Sequence, residues 1–201
     1  MEKAINAAEI ESFHLVLHDL GGPIGFDLIR RIPERILSLT VLNTLVNVSK
    51  FSKPIVMRPF SVPLLGRLWV LQMNTPFIFP FFRWKRVLKG PSYSEIRAYG
   101  KLLTRTDGGS AFRKIMSRFE TTEEFEERIL APLKDRKFPA QIIWGKHDSE
   151  LKIDVQGADI KKALNLKTEI HQVEGKHFLQ ENCPEEIADR ISLLVNTGTD
   201  I

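Results

Sequence analysis

The chain has 201 residues, 43% hydrophobic and 27% charged, which suits one globular domain with a sizeable core and a soluble surface. Its formal net charge of +4 comes from 29 basic and 25 acidic residues that are mostly interspersed. Even the denser tract Arg83-Trp84-Lys85-Arg86 therefore reads as a solvated face, and no nucleic-acid partner is expected. A single cysteine, Cys183, excludes an internal disulfide and fits a reducing compartment, where it reads as a buried, inert thiol.

No apolar signal segment follows Met1, and the most apolar stretch, Leu64 to Phe82, is interrupted by Arg67, Gln72, Asn74, Pro76 and Pro80. No membrane partner is expected, and the expected location is cytoplasmic.

The first element in chain order is the apolar run Phe13-His14-Leu15-Val16-Leu17, which predicts a strand buried on both faces, as in a parallel sheet. A helical pattern follows (Ile24, Leu28, Ile29, Ile32) and ends at Pro33; Ile36–Leu42 is a second strand, completing a βαβ unit. From about Val48 prolines break the chain into short pieces rich in phenylalanine, and helical patterns resume at Tyr93–Thr104 and Ala111–Phe119. The region 48–121 reads as an inserted helical lid between a first core part, 1–47, and a second, 122–201. In the second part Thr122–Lys134 reads as a helix, Ala140–Trp144 as a strand and Leu151–Leu164 as a helix. Thr168–Val173 reads as a polar edge strand and Pro184–Val195 as a last amphipathic helix.

The candidate chemistry sits at strand ends. Leu17-His18-Asp19-Leu20-Gly21-Gly22 falls where a buried strand turns into a helix, the setting of a nucleophile elbow. Gly21 and Gly22 supply room on the helix side, and the helix N-terminus favours an ionised, exposed carboxylate at Asp19. Asp148 lies just past the third strand in Gly145-Lys146-His147-Asp148, on the ligand-binding edge of a parallel sheet. His177, in Glu174-Gly175-Lys176-His177-Phe178 after the last strand, reaches back over the same edge. The order nucleophile, acid, histidine is that of α/β-hydrolases.

These motifs carry a family resemblance. Val16-Leu17-His18-Asp19-Leu20-Gly21-Gly22-Pro23-Ile24-Gly25 resembles the elbow of haloalkane dehalogenases and related epoxide hydrolases, which use an aspartate nucleophile. Ile142–Asp148 is similar to their acid-bearing turn, and Gly175–Glu181 to their histidine loop. The resemblance runs from about Phe13 to Val195 and is weakest through the lid. It implies an α/β-hydrolase fold, a mostly parallel sheet with helices on both faces and a helical lid, and it implies a catalytic triad of Asp19, Asp148 and His177. An aspartate is already ionised at neutral pH and can form a covalent ester by displacement at saturated carbon. His177, oriented by Asp148, then activates the water that cleaves the ester. Asn43, at the second strand's end where some relatives carry the acid, cannot ionise, so Asp148 is the better acid. Leu20 supplies backbone N–H at the elbow, and His18, Asn43, Trp144 and Phe178 are expected around the substrate pocket.

The expected partners are a small apolar substrate and water, with no cofactor and no metal. Two departures bear on the substrate: Leu20 stands where the dehalogenases typically carry a halide-holding tryptophan, and the only tyrosines, Tyr93 and Tyr99, lie in the lid, where epoxide hydrolases carry acid tyrosines. Family members also carry several strands before the elbow, whereas here Asp19 follows a short N-terminal stretch. That predicts an unpaired edge beside Phe13–Leu17, with self-association through it. The readings kept are a dehalogenase-like hydrolase, an epoxide hydrolase, and an inactive fragment or binding module of the same fold.

Overall fold

A computed structural model of the chain describes residues 1–52, 55–73, 90 and 92–201. The tract Arg83–Arg86 and the phenylalanines at 77, 79, 81 and 82 lie outside the described residues. The chain divides into two compact units, one formed by 1–49 and 122–201 and the other by 50–121.

The first unit begins with a short helix α1 (Glu2–Ala7) and holds four parallel strands: β1 (Phe13–Asp19), β2 (Ile36–Thr44), β3 (Ala140–Gly145) and β4 (His171–Val173). They lie side by side in chain order, β1-β2-β3-β4. Parallel neighbours need crossover connections, and helix α2 (Gly21–Arg31) makes the first. It buries Phe26, Leu28 and Ile29 and brings Gly25 against Leu17 of β1, whereas Ile24, expected in the buried stripe, is 41% exposed. β2 is the most deeply placed strand: seven consecutive residues, Ser38 to Thr44, are buried. On the opposite face Leu42, Ile143 and Val173 form a core with Leu179 and Ile187, and half-buried Cys183 packs against it rather than being fully buried.

The burial of β1 corrects the sequence expectation. Leu15 and Leu17 are buried, but His14 is exposed and Val16 is 44% exposed, so only one face is covered. The last helix (Pro184–Thr197) packs over β2 and β3, leaving this face of β1 in solvent. β4 is also shorter than Thr168–Val173. The helix expected over Leu151–Leu164 opens instead as a wide π turn, Ile153–Gly157, against the Trp144 ring, and continues as Ala158–Ala163.

β1 ends the strand order, so among the described residues one of its hydrogen-bonding edges has no partner strand. Such an edge beside exposed Val16 invites pairing with another chain. The 201-residue chain expressed alone is expected to dimerise or aggregate when its mass is measured by light scattering. Val16→Lys should shift it toward monomer; a wild-type chain that runs as a monodisperse monomer would overturn the expectation.

The second unit comprises a 3₁₀ stretch (Ile55–Ser61) and helices α3 (Pro63–Met73), α4 (Tyr93–Thr104) and α5 (Ser110–Arg118). Ser92 and Glu95 form a reciprocal capping box at the start of α4. Phe60 meets Phe112 edge-on at 5.5 Å, and Val70 and Ile96 are buried with Phe60. Among the described residues no helix is long and apolar enough to cross a membrane.

Candidate active site

β1 ends at Asp19 with φ +49°, a left-handed conformation that costs a non-glycine residue roughly 1–3 kcal/mol. Two contacts hold it. The Thr44 hydroxyl, at the end of β2, donates to the Asp19 carbonyl at 2.5 Å. Gly22, in the first turn of α2, leaves the space that Thr44 fills, since a Cβ there would lie 1.9 Å from Thr44 Oγ1. Gly21, expected to serve the same purpose, has open space beside it. The elbow therefore depends on the second glycine. It lifts the Asp19 carboxylate to the C-terminal edge of the sheet with 42% of the side chain exposed.

Asp148 lies in the turn after β3, its side chain sealed from solvent. Its Oδ1 accepts the N–H groups of Glu150 (2.7 Å) and Leu151 (3.0 Å); its Oδ2 accepts from Asn43 Nδ2 and His177 Nδ1, both at 2.8 Å. Four donors satisfy the carboxylate and fix its plane. With Nδ1 of His177 directed at Asp148, Nε2 stands 3.6 Å from Asp19 Oδ1, an ion contact too long for a hydrogen bond. The three side chains thus meet at one edge of the sheet in the order Asp148, His177, Asp19.

Charge follows from this placement. Burial works against a charged His177 and is the largest single influence, but the hydrogen bond and charge of Asp148 and the close contact and charge of Asp19 outweigh it and raise the imidazole to about 9. Burial likewise opposes the Asp19 charge, yet contact with His177, the charges of His177 and His18 and the Leu20 N–H together hold its carboxyl below the usual range. His18 is pushed down, by burial first and by the His177 charge second. The resting site is an imidazolium between two carboxylates, with His18 beside it.

The residues expected around a pocket separate into two groups. Asn43 and Trp144 do not face one: they are 0% and 1% exposed. Each instead serves the scaffold. Asn43 donates to Asp148 and to the carbonyls of Lys176 (3.2 Å) and His177 (3.4 Å), and it accepts from the Gly145 N–H (2.9 Å), tying the acid turn to the histidine loop. Trp144 Nε1 donates to the Leu151 carbonyl at 3.2 Å, and its ring supports the π turn. Gly145 is required here because a Cβ would stand 2.4 Å from the Lys176 carbonyl oxygen.

His18 and Phe178 are half-buried beside the site. The His18 Nε2 donates to the His177 carbonyl at 2.8 Å, and both His18 and His177 lie against the Phe178 ring. Leu20 heads α2 with its side chain buried and its N–H toward the Asp19 carboxylate. Thr44 is the site residue that the sequence reading missed; its signal was a short hydroxyl side chain at a strand end opposite a required glycine.

No protein-family model matches the chain by sequence, and no curated protein does either. Solved structures do match it. Haloalkane dehalogenase DbeA from Bradyrhizobium elkani superposes with a TM-score of 0.72 at 20% identity, covering 98% of this chain and 71% of its own. Haloalkane dehalogenase DatA from Agrobacterium tumefaciens gives 0.73 at 22% identity, with 98% and 70% covered. DbjA gives 0.74 at 17% identity, with 98% and 72% covered. The parallel sheet, the left-handed elbow after β1 and these superpositions agree: the chain has the α/β-hydrolase fold.

Proposed function

We propose that this chain is a hydrolase of a small apolar substrate, with Asp19 as nucleophile, His177 as base and Asp148 as its orienting acid. Asp19 attacks saturated carbon; its carboxylate oxygen forms the new C–O bond, and the leaving group departs with the electron pair of the broken bond. The ester so formed carries no charge, so His177 loses one of the two carboxylates that hold its proton. It then releases that proton to solvent and becomes a base once the ester exists, which is when one is needed. His177 takes a proton from water, the hydroxide adds to the ester carbonyl, and collapse frees the alcohol and restores the Asp19 carboxylate. The observation that carries this reading is the single imidazole bonded to Asp148 at 2.8 Å and facing Asp19 at 3.6 Å.

The leaving group is argued from Leu20. Its side chain has no N–H for a departing halide, and loss of one such donor costs ~2.7–4 kcal/mol in comparable sites. Halide release from simple chloroalkanes should therefore be slow, with dehalogenase-like activity favouring better leaving groups. Epoxide opening is the alternative; the acid for the departing oxygen would be Tyr93 or Tyr99 of the 50–121 unit, which we assign as the lid. A cytoplasmic location belongs to the same reading. The third reading, a binding module of this fold, has the assembled acid–histidine–aspartate contacts against it.

His177→Gln separates these cases. With water activation removed, an alkyl bromide or an epoxide should leave its carbon skeleton on Asp19, seen as a mass increase of the intact chain. Asp19→Asn should show none. No adduct from either class in His177→Gln, or an adduct that survives Asp19→Asn, would overturn the mechanism.

A further inference from the structure

We propose that helix α3 docks the second unit peripherally on an anionic lipid surface. At 100° per residue, Leu64, Leu68 and Leu71 of Pro63–Met73 fall within one narrow stripe, with Leu65 and Arg67 on its two margins. The opposite side of the helix holds Gly66 and Val70, both buried. The helix is therefore turned outward: its leucines at 64, 65, 68 and 71 are 67%, 50%, 51% and 63% exposed, and Arg67 is exposed beside them. A helix that buries a glycine and a valine while presenting four leucines to water has its larger apolar face unpartnered among the described residues.

Charge identifies the occupant. Between Glu34 and Glu95 the sequence has nine lysines and arginines and not one aspartate or glutamate. The other 20 basic residues face all 25 acids, so the net +4 of the chain is a strongly positive segment set in a mildly negative remainder. Apolar side chains in a helical stripe within a segment of one positive sign fit the interface of an anionic bilayer, where leucines enter the acyl boundary and basic groups stay at the headgroups. Nucleic acid is disfavoured because exposed leucines make no useful contact with phosphate. The expectation of no membrane partner rested on the lack of a span; a helix lying in the interface needs none.

The test is flotation of the full chain with vesicles of phosphatidylcholine alone or with one-third phosphatidylserine, which separates bound protein from any aggregate. The chain should float with the anionic vesicles, weakly with the neutral ones, and less in high salt. Leu64→Gln/Leu68→Gln should lower partitioning at least about tenfold, and Arg67→Gln should lower it more modestly. Both variants should melt as the wild type does.

Absence of flotation with anionic vesicles, or flotation that ignores the leucine substitutions, would overturn the proposal. So would tighter capture by an oligonucleotide, or a lowered melting temperature in the leucine variant, which would show the face to be covered within the chain itself. None of these readouts depends on the proposed hydrolysis.

Discussion

Gly22→Ala is expected to destabilise the chain by at least about 2 kcal/mol, although it adds one methyl group in a helix, where alanine is normally the better residue. The new Cβ would stand 1.9 Å from Thr44 Oγ1 and 2.8 Å from its Cβ. Thr44 cannot swing away cheaply, because its hydroxyl holds the carbonyl of a residue in the left-handed region. The clash also separates β2 from the elbow, so any activity should fall with the stability. Gly21→Ala is the internal control: nothing lies within 4 Å of its Cβ, and it should be neutral or stabilise by up to about 1 kcal/mol. Urea unfolding of the two variants decides the matter. Equal midpoints would mean that the close approach at Gly22 relaxes freely. Thr44→Ala in the Gly22→Ala background should restore part of the loss, since it removes Oγ1 and Cγ2 while keeping the Cβ at 2.8 Å and leaving the Asp19 carbonyl unbonded.

The second large effect is on pH. His177 stands at about 9 in the folded chain, against 6.5 when unperturbed. Between these values the folded state holds a proton that the unfolded state releases, so raising the pH favours unfolding. The stabilisation is complete below pH 6.5 and is lost as pH rises through about 9, with an upper bound of about 3 kcal/mol. Asp19 acts in the opposite sense: its lowered carboxyl adds stability above the ordinary carboxylate range, and that is lost as pH falls. Denaturation measured from pH 6.5 to 9.5 should show wild-type stability falling and His177→Gln nearly flat by comparison. Parallel curves for the two proteins would show that the imidazolium contributes little.

Much of this was legible in the sequence because it depends on chain order and short-range pattern. Strand ends are visible as apolar runs that stop, and an acid or histidine just beyond such a stop lands on one edge of a parallel sheet; Asp19, Asp148 and His177 were found that way. Burial across the sheet was not legible. Val16 has the same side chain whether a helix covers it or not, so the run at Phe13–Leu17 read as buried on both faces. Asn43 and Trp144 turn into the scaffold, which was not legible because adjacency to a strand end does not say whether a side chain points into solvent or back into the scaffold. Gly21 and Gly22 look identical as neighbours in sequence, and only the position of Thr44, on a different strand, distinguishes them.

The fastening between the acid turn and the histidine loop has a consequence for how the molecule comes apart. Gly145, Lys146 and His147 give their amide hydrogens to Asn43, to the Val173 carbonyl and to the Gly175 carbonyl. Two of those acceptors belong to or follow β4, an edge strand only three residues long. Peeling that edge away would free the turn bearing the acid and the loop bearing the base in one motion. Solvent deuterium should therefore enter the Lys146 and His147 amides at one shared rate, and that rate is also the frequency with which the site ceases to exist.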